Sequence, residues 1–418
     1  MDSESKKTKI STQAYKGVRD FYPEDQSFLN YVIATQRSVC QRFGYEEYHA
    51  SILEPSDLYR GKGADNEEII NEQTYTFVDR GGREVTLRPE MTPTVARMLS
   101  ARRRDLGFPL RLFSIPNVFR YENPQRGRLR EHWQLNVDIF GSRSLAADAE
   151  VIGVAHALFI AFGASTTDIA IKLGSRSYLN QLAQELGLDE ANTRAMFALL
   201  DRKAKMPEDI FAADMAKIGV PMEKLSATNP PRDVAEVLEV LRSMGIDNAE
   251  FDPSIVRGFA YYTGVVFEIY DTHPDNKRAL CGGGRYDNLT KLFDDEDIPA
   301  FGFGLGDVTV RDFLDVRGLL PAYVPATHVY LAVPSDEHVA LARTLAEEFR
   351  QQGVNAAVDF GEKKLSDQIR QASKNHIPFL VVVGDTEAQS GMFVVRDLES
   401  GTEKTLNREQ LGAFFLTI

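Results

Sequence analysis

The sequence predicts a multidomain chain of α/β and α+β class: a large part with strands paired as hairpins and a helical stretch, then a smaller α/β domain. Three observations carry this. Pairs of strands joined by a turn or loop read at 75–88 and at 110–141, as in antiparallel hairpins. From about 189 to 245 helical periodicity replaces them. Beyond a proline-bearing linker at 319–325, strands and helices alternate, as in a unit with parallel strands and crossover helices.

In chain order, the polar start MDSESKKTKISTQ lacks an apolar signal region and is expected to be a flexible tail over 1–13. A helix is predicted over 28–43, with Phe28, Val32, Ile33, Val39 and Phe43 on one stripe and Gly44 as its stop. Residues 52–58 open a further element. Strands at 75–79 and 84–88 flank the tight turn 80–83, and the second runs into Pro89-Glu90-Met91-Thr92-Pro93. Glu90 and Thr92 thus sit at a strand-to-helix junction suited to ligand contacts, although Thr92 before Pro93 equally fits an N-cap.

The stretch 110–141 reads as a long hairpin. One strand ends in Phe119-Arg120-Tyr121-Glu122, and a loop carries Gln125, Arg126, Arg128 and Arg130. The second strand alternates Leu135, Val137 and Ile139 on one face with Gln134, Asn136 and Asp138 on the other. Its polar face would display Arg120, Glu122, Gln134 and Asp138 together, fitting a ligand with both positive and negative groups; an ordinary solvated sheet has the same pattern.

A helix at 146–162, a strand at 169–173 and helices at 191–201 and 232–244 follow. The run 255–262 reads as a strand in which Arg257 needs an anionic partner, internal or bound. Next come a strand at 265–270 and a glycine turn at 281–287. A strand at 300–306 has alternating glycines that leave one face bare for something flat. In the last unit, strands are expected at 328–333, 354–359, 379–383 and 392–396, with helices at 338–352, 364–375 and 408–415.

Composition excludes several classes. The 418 residues, 43% hydrophobic and 26% charged, fit two or three soluble domains. No apolar run reaches the roughly 18 residues of a membrane span. Cys40 and Cys281 have no metal-ligand spacing, so neither a disulfide framework nor a structural metal is expected, and the cytoplasm is the default compartment. A net charge of −13 argues against sequence-blind nucleic-acid binding. Between Arg97 and Arg130, however, arginine strongly outnumbers Asp105 and Glu122, a local excess suited to phosphates or to a solvated basic face, the latter favoured for Arg102 to Arg104.

Together Leu87-Arg88-Pro89-Glu90, Phe119-Arg120-Tyr121-Glu122 with its loop, and Val256-Arg257-Gly258-Phe259-Ala260-Tyr261-Tyr262 resemble the class II aminoacyl-tRNA synthetases, specifically the histidyl-tRNA synthetase family. The resemblance runs from Gly17 through the C-terminal unit. It implies a class II antiparallel-sheet catalytic domain over 14–322, with an insertion at about 189–245, and an anticodon-binding-like α/β domain over 326–418. It also implies ATP-dependent activation of L-histidine and transfer to tRNA(His), with Mg2+ on the ATP and a homodimer. Arg120 and Arg257 would flank the α-phosphate as catalytic groups. Glu122 and His132 would meet adenine, while Glu90, Thr92, Gln134, Asp138, Tyr261 and Tyr262 would hold histidine. Gln125, Arg126, Arg128 and Arg130 would meet the tRNA acceptor end. The sequence departs from the family at three places: His132 stands for phenylalanine, Ala260 for aspartate, and Thr309 for the motif 3 arginine that grips ATP. Arg285 or Arg311 is the expected substitute for that arginine. The alternative implied by the weakened motif 3 is a non-catalytic, synthetase-like regulatory subunit of ATP phosphoribosyltransferase.

Overall fold

The computed structural model describes residues 10–60, 73–203, 206–225, 229–256, 261–276, 278–293, 297–360 and 363–416. The chain divides into two compact units, one of Met1–Asp20 with Leu29–Leu320 and one of Phe21–Phe28 with Pro321–Ile418.

The first unit is built on a sheet of nine strands. In chain order its strands are β1 (Glu46–Glu47), β5 (Leu110–Ser114), β6 (Asn117–Phe119), β7 (Glu131–Phe140), β8 (Ile169–Ser175), β9 (Ala249–Phe251), β10 (Val265–Asp271), β11 (Ala279–Tyr286) and β12 (Ala300–Gly306). They lie in the order β1-β5-β7-β12-β11-β10-β8-β9, with β6 paired to β7. The pairs from β5 through β8 are antiparallel, as the hairpin reading predicts. A separate three-stranded sheet joins β2 (Leu53–Pro55), β3 (Tyr75–Val78) and β4 (Glu84–Leu87). Its turn is closed by Asp79, whose Oδ1 accepts from the Gly81 and Arg83 amides at 2.8 and 2.9 Å.

The helix Leu145–Ala161 is apolar over most of its surface because it is buried, lying against β7, β11 and β12. The opposite side of these strands is left for the cavity described below. Helices Arg176–Glu185, Glu190–Arg202, Glu208–Lys217 and Arg232–Ser243 fill the chain between β8 and β9. Helical structure therefore starts at Arg176, ahead of the expected 189, initiated by Ser175 Oγ accepting from the Tyr178 amide.

Two sequence expectations change. Of the turn expected over 281–287, Cys281–Tyr286 form most of β11, at the middle of the sheet. Glycine is needed there for close approach: a Cβ on Gly283 would lie 1.9 Å from the Gly302 carbonyl oxygen of β12. Of the strand expected over 255–262, Ile255, Val256, Tyr261 and Tyr262 lie outside any strand, and 257–260 lie outside the described residues.

The second unit has a five-stranded sheet, β14-β13-β15-β16-β17, from β13 (Val329–Ala332), β14 (Ala356–Val358), β15 (Phe379–Val382), β16 (Met392–Asp397) and β17 (Glu403–Asn407). The first two pairings are parallel and the last two antiparallel. Val329, Leu331, Leu345, Phe349, Val381 and Phe415 build its core. The buried Gln368 is fully engaged: its Nε2 donates to the Val333 carbonyl at 2.7 Å and its Oε1 accepts from the Val333 amide at 2.8 Å. Among the described residues no helix is long and apolar enough to cross a membrane.

Candidate active site

The site is built on β7. Its alternation turns Leu135, Val137 and Ile139 into the core, while His132, Gln134, Asn136 and Asp138 face a cavity of about 240 Å³. The neighbouring strand makes room for them. Gly302, Gly304 and Gly306 pair with Asp138, Asn136 and Gln134. A Cβ on Gly302 would lie 1.8 Å from Asp138 Oδ1, and one on Gly304 would lie 2.1 Å from Gln134 Nε2. The bare strand face expected from the alternating glycines is thus partly filled by side chains from β7.

His132 and Asp138 are six positions apart on the strand, roughly 20 Å at a strand's rise, so β7 gives the cavity an axis. At the Asp138 end, Tyr286 donates its hydroxyl to Asp138 Oδ1 at 2.5 Å. Tyr261 meets the Tyr286 ring edge-on at 5.7 Å between centroids, and Tyr262 lies beside Tyr261 at 4.9 Å. Burial pushes the Asp138 carboxyl up to about 7, against the opposing effect of the Tyr286 hydrogen bond. In the middle, Asn136 donates to the Gln134 carbonyl at 2.9 Å, and Gln134 Nε2 donates to Asn136 Oδ1 at 3.2 Å.

At the other end burial, followed by the Arg120 and Arg19 charges, pushes His132 down to about 3, leaving a neutral imidazole. Arg120 follows β6; its Nε donates to the Pro89 carbonyl at 2.9 Å and its side chain reaches the cavity. Glu122 also lines the cavity and pairs with Arg128 at 3.3 Å. Glu90 and Thr92 enter from the 88–92 junction. That junction is fixed by the buried Arg88, which donates to the Asn117 and Ala50 carbonyls at 2.9 and 2.7 Å. The helix Thr92–Arg102 begins at Thr92, with Met91 as its N-cap and no side-chain cap bond. The Thr92 hydroxyl is therefore not used as a cap.

Of the sequence-predicted residues, the structure gathers Glu90, Thr92, Arg120, Glu122, Arg128, His132, Gln134, Asp138, Tyr261 and Tyr262 around one cavity. Arg257 and Ala260 lie outside the described residues. Three arginines must be reassigned. Arg285 points away from the cavity, because Tyr286 next to it on β11 points in; its guanidinium is buried against Asp148, the Ser142 carbonyl and Asp287. Arg311 is not on a continued strand: β12 stops at Gly306, the helix Asp307–Val316 begins, and Arg311 sits on its exposed side. Arg130 is packed between Tyr121 and Tyr15, donating to the Glu122 carbonyl at 3.1 Å and the Tyr15 hydroxyl at 3.1 Å, so it shapes the loop from inside. Gln125 and Arg128 bridge across a tight turn at the loop's tip, and the exposed Arg126 pairs with Asp312 at 3.6 Å.

Three residues of the site have no role in the sequence reading: Asn136, which the alternation places on the polar face of β7, Tyr286 and Asp307. Tyr286 was hidden by reading β11 as a turn. Asp307 is a buried carboxylate that accepts from Arg19 at 2.7 Å and from the Trp133 amide at 2.9 Å, tying β7 to the helix start. Thr309 also lines the cavity, one turn into that helix, its hydroxyl donating to the Gly306 carbonyl at 2.8 Å.

Comparison with known proteins agrees with this architecture. The family model described as histidyl-tRNA synthetase matches residues 17–307, and that of the anticodon binding domain matches 328–418. The histidine–tRNA ligase of Leptospira biflexa is 39% identical over 96% of this chain and 97% of its own length. That of Thermoplasma volcanium is 35% identical over 97% and 98%. Among solved structures, histidyl-tRNA synthetase from Nostoc superposes with a TM-score of 0.82 at 22% identity, covering 97% of this chain and 99% of its own. A Bacillus halodurans protein described as an ATP phosphoribosyltransferase regulatory subunit/histidyl-tRNA synthetase gives 0.74 at 22% identity, covering 90% and 99%.

Proposed function

The chain belongs to the histidyl-tRNA synthetase family, and from that premise we propose that it joins L-histidine to ATP as histidyl-adenylate and passes the histidyl group to the 3′ end of tRNA(His). The observation that carries this reading is β7 itself, with Asp138 at one end of a single cavity, Gln134 and Asn136 between, and His132 beside Arg120 at the other.

In this reading histidine lies among Glu90, Thr92, Gln134, Asp138, Tyr261 and Tyr262. Glu90 takes the α-ammonium, and Asp138, held by Tyr286, accepts from the imidazole. ATP, with Mg2+ as its counter-ion and part of the substrate, lies toward His132. That neutral ring stacks on adenine, and Glu122 accepts from the adenine amino group. The histidine carboxylate attacks the α-phosphate, a P–O bond forms, and pyrophosphate leaves. No protein nucleophile is needed, so alignment and charge stabilisation supply the rate. Arg120 neutralises the charge growing on the α-phosphate, with Arg257 assigned to its opposite side by the family resemblance. The loop bearing Gln125, Arg126 and Arg128 receives the acceptor end. A homodimer in the cytoplasm completes the proposal.

Thr309, where the family carries a phosphate-gripping arginine, is the one feature that favours the non-catalytic regulatory reading. Histidine-dependent ATP–pyrophosphate exchange decides between them. Exchange with histidine alone among the amino acids, followed by charging of tRNA(His) transcript, is the expected result. No exchange with any amino acid would overturn the ligase assignment; exchange without charging would redirect the acyl group to another acceptor.

A further inference from the structure

The cavity's nucleotide end lacks an arginine at Thr309, and neither Arg285 nor Arg311 reaches it. Arg19, near His132, has its charge committed to the buried Asp307. Arg278 does not line the cavity either, but it stands next to two residues that do, Ala279 in the chain and Gly127 in space. In the antiparallel ladder Cys281 pairs with Leu305. The helix that carries Thr309 begins just past Leu305, at Asp307, and Arg278 immediately precedes β11. Its guanidinium lies over the loop: Nη1 donates to the Arg126 carbonyl at 2.8 Å and Nη2 to Gln125 Oε1 at 3.3 Å. A Cβ on Gly127, itself a cavity residue, would be 3.6 Å from Arg278 Nη1 and 3.4 Å from Asp312 Oδ2. Asp312 is engaged by Arg126.

These partners decide the matter. Both acceptors of Arg278 are neutral oxygens, and among the described residues no carboxylate pairs with it. Arg128 and Arg126, by contrast, are paired with Glu122 and Asp312. An exposed guanidinium gives up bonds to a carbonyl and an amide at little cost, and gains charge-assisted, bidentate bonds from a phosphate. We propose that Arg278 supplies the third guanidinium to the β- and γ-phosphates of ATP, from the residue just before β11, where the family's arginine would come from the position of Thr309. This rests on the assignment of the cavity to ATP.

The test is nucleotide binding by calorimetry on the full chain, using ATP and AMP, for the wild type, Arg278→Ala, Arg278→Lys and the double variant Arg278→Ala/Thr309→Arg. Arg278→Ala should weaken ATP by tenfold or more and AMP by less than twofold. Arg278→Lys should fall between, and the double variant should recover ATP affinity. A residue that only braces the loop would shift ATP and AMP alike, and that outcome overturns the proposal, as does an ATP affinity within twofold of wild type. The ligase reading fails separately: a wild type that binds ATP more tightly than AMP yet shows no histidine-dependent exchange leaves Arg278 standing and removes the function. If wild type binds neither nucleotide, both fall.

Discussion

At the residue scale, Asp138 is the group whose chemistry depends most on the fold. A free aspartate titrates near 3.9, and burial at the end of the cavity raises Asp138 to about 7. Between those values the folded chain holds a proton that the unfolded chain has released. The resulting stability is fully present below about pH 4 and is lost as pH rises through about 7, an effect of at most about 4 kcal/mol. Accepting from an imidazole needs the carboxylate, so histidine binding gains where stability falls. Asp138→Asn should therefore melt at a higher temperature than wild type at pH 8, with the gap closing toward pH 5, and should lose most histidine affinity. Melting curves at pH 5, 6, 7 and 8, with and without histidine, check this. A gap independent of pH would mean that Asp138 is ionised throughout.

At the scale of elements, the β7–β12 pair is where sequence and chemistry meet. Gly302→Ala would put a Cβ 1.8 Å from Asp138 Oδ1 and 2.8 Å from the Val137 carbonyl, so backbone or Asp138 must move, an overpacking cost of about 1–3 kcal/mol. Gly304→Ala meets only the amide end of Gln134, which can rotate away. Gly302→Ala should lower the melting temperature and raise the KM for histidine more than tenfold, and Gly304→Ala should do clearly less of both. Equal effects would show that the strands have room to spread. The two-residue period of β7 and β12 made this pair legible in sequence, because period fixes facing without knowledge of partners. Local signals failed where partners decide. Gly282, Gly283 and Gly284 mark a turn as readily as a strand squeezed between neighbours, and only the position of Gly302 distinguishes them. Arg285 has the sequence setting of a phosphate ligand, but Asp148, 137 residues away in sequence, claims it. For Arg311 the reason is simpler: the strand stops at Gly306, where the helix begins.

At the scale of the molecule, the division of labour follows from where the cores lie. Every described residue lining the cavity falls between Glu90 and Thr309, within the first unit. The second unit closes its own core around Val329, Leu345, Phe349 and Phe415. A chain ending at Leu320 keeps every side chain assigned here to histidine and ATP while losing the module that matches the anticodon-binding family. Adenylate formation and tRNA charging should therefore separate. Truncation after Leu320 should leave histidine-dependent pyrophosphate exchange within about tenfold of the full chain, while kcat/KM for tRNA(His) falls by roughly 100-fold or more, the equivalent of about 2.7 kcal/mol of lost transition-state binding. Measuring both reactions on the same preparation distinguishes this from misfolding, which would depress them together. A truncated chain that charged tRNA as well as the full one would show that acceptor-end contacts, through Gln125, Arg126 and Arg128, suffice for recognition.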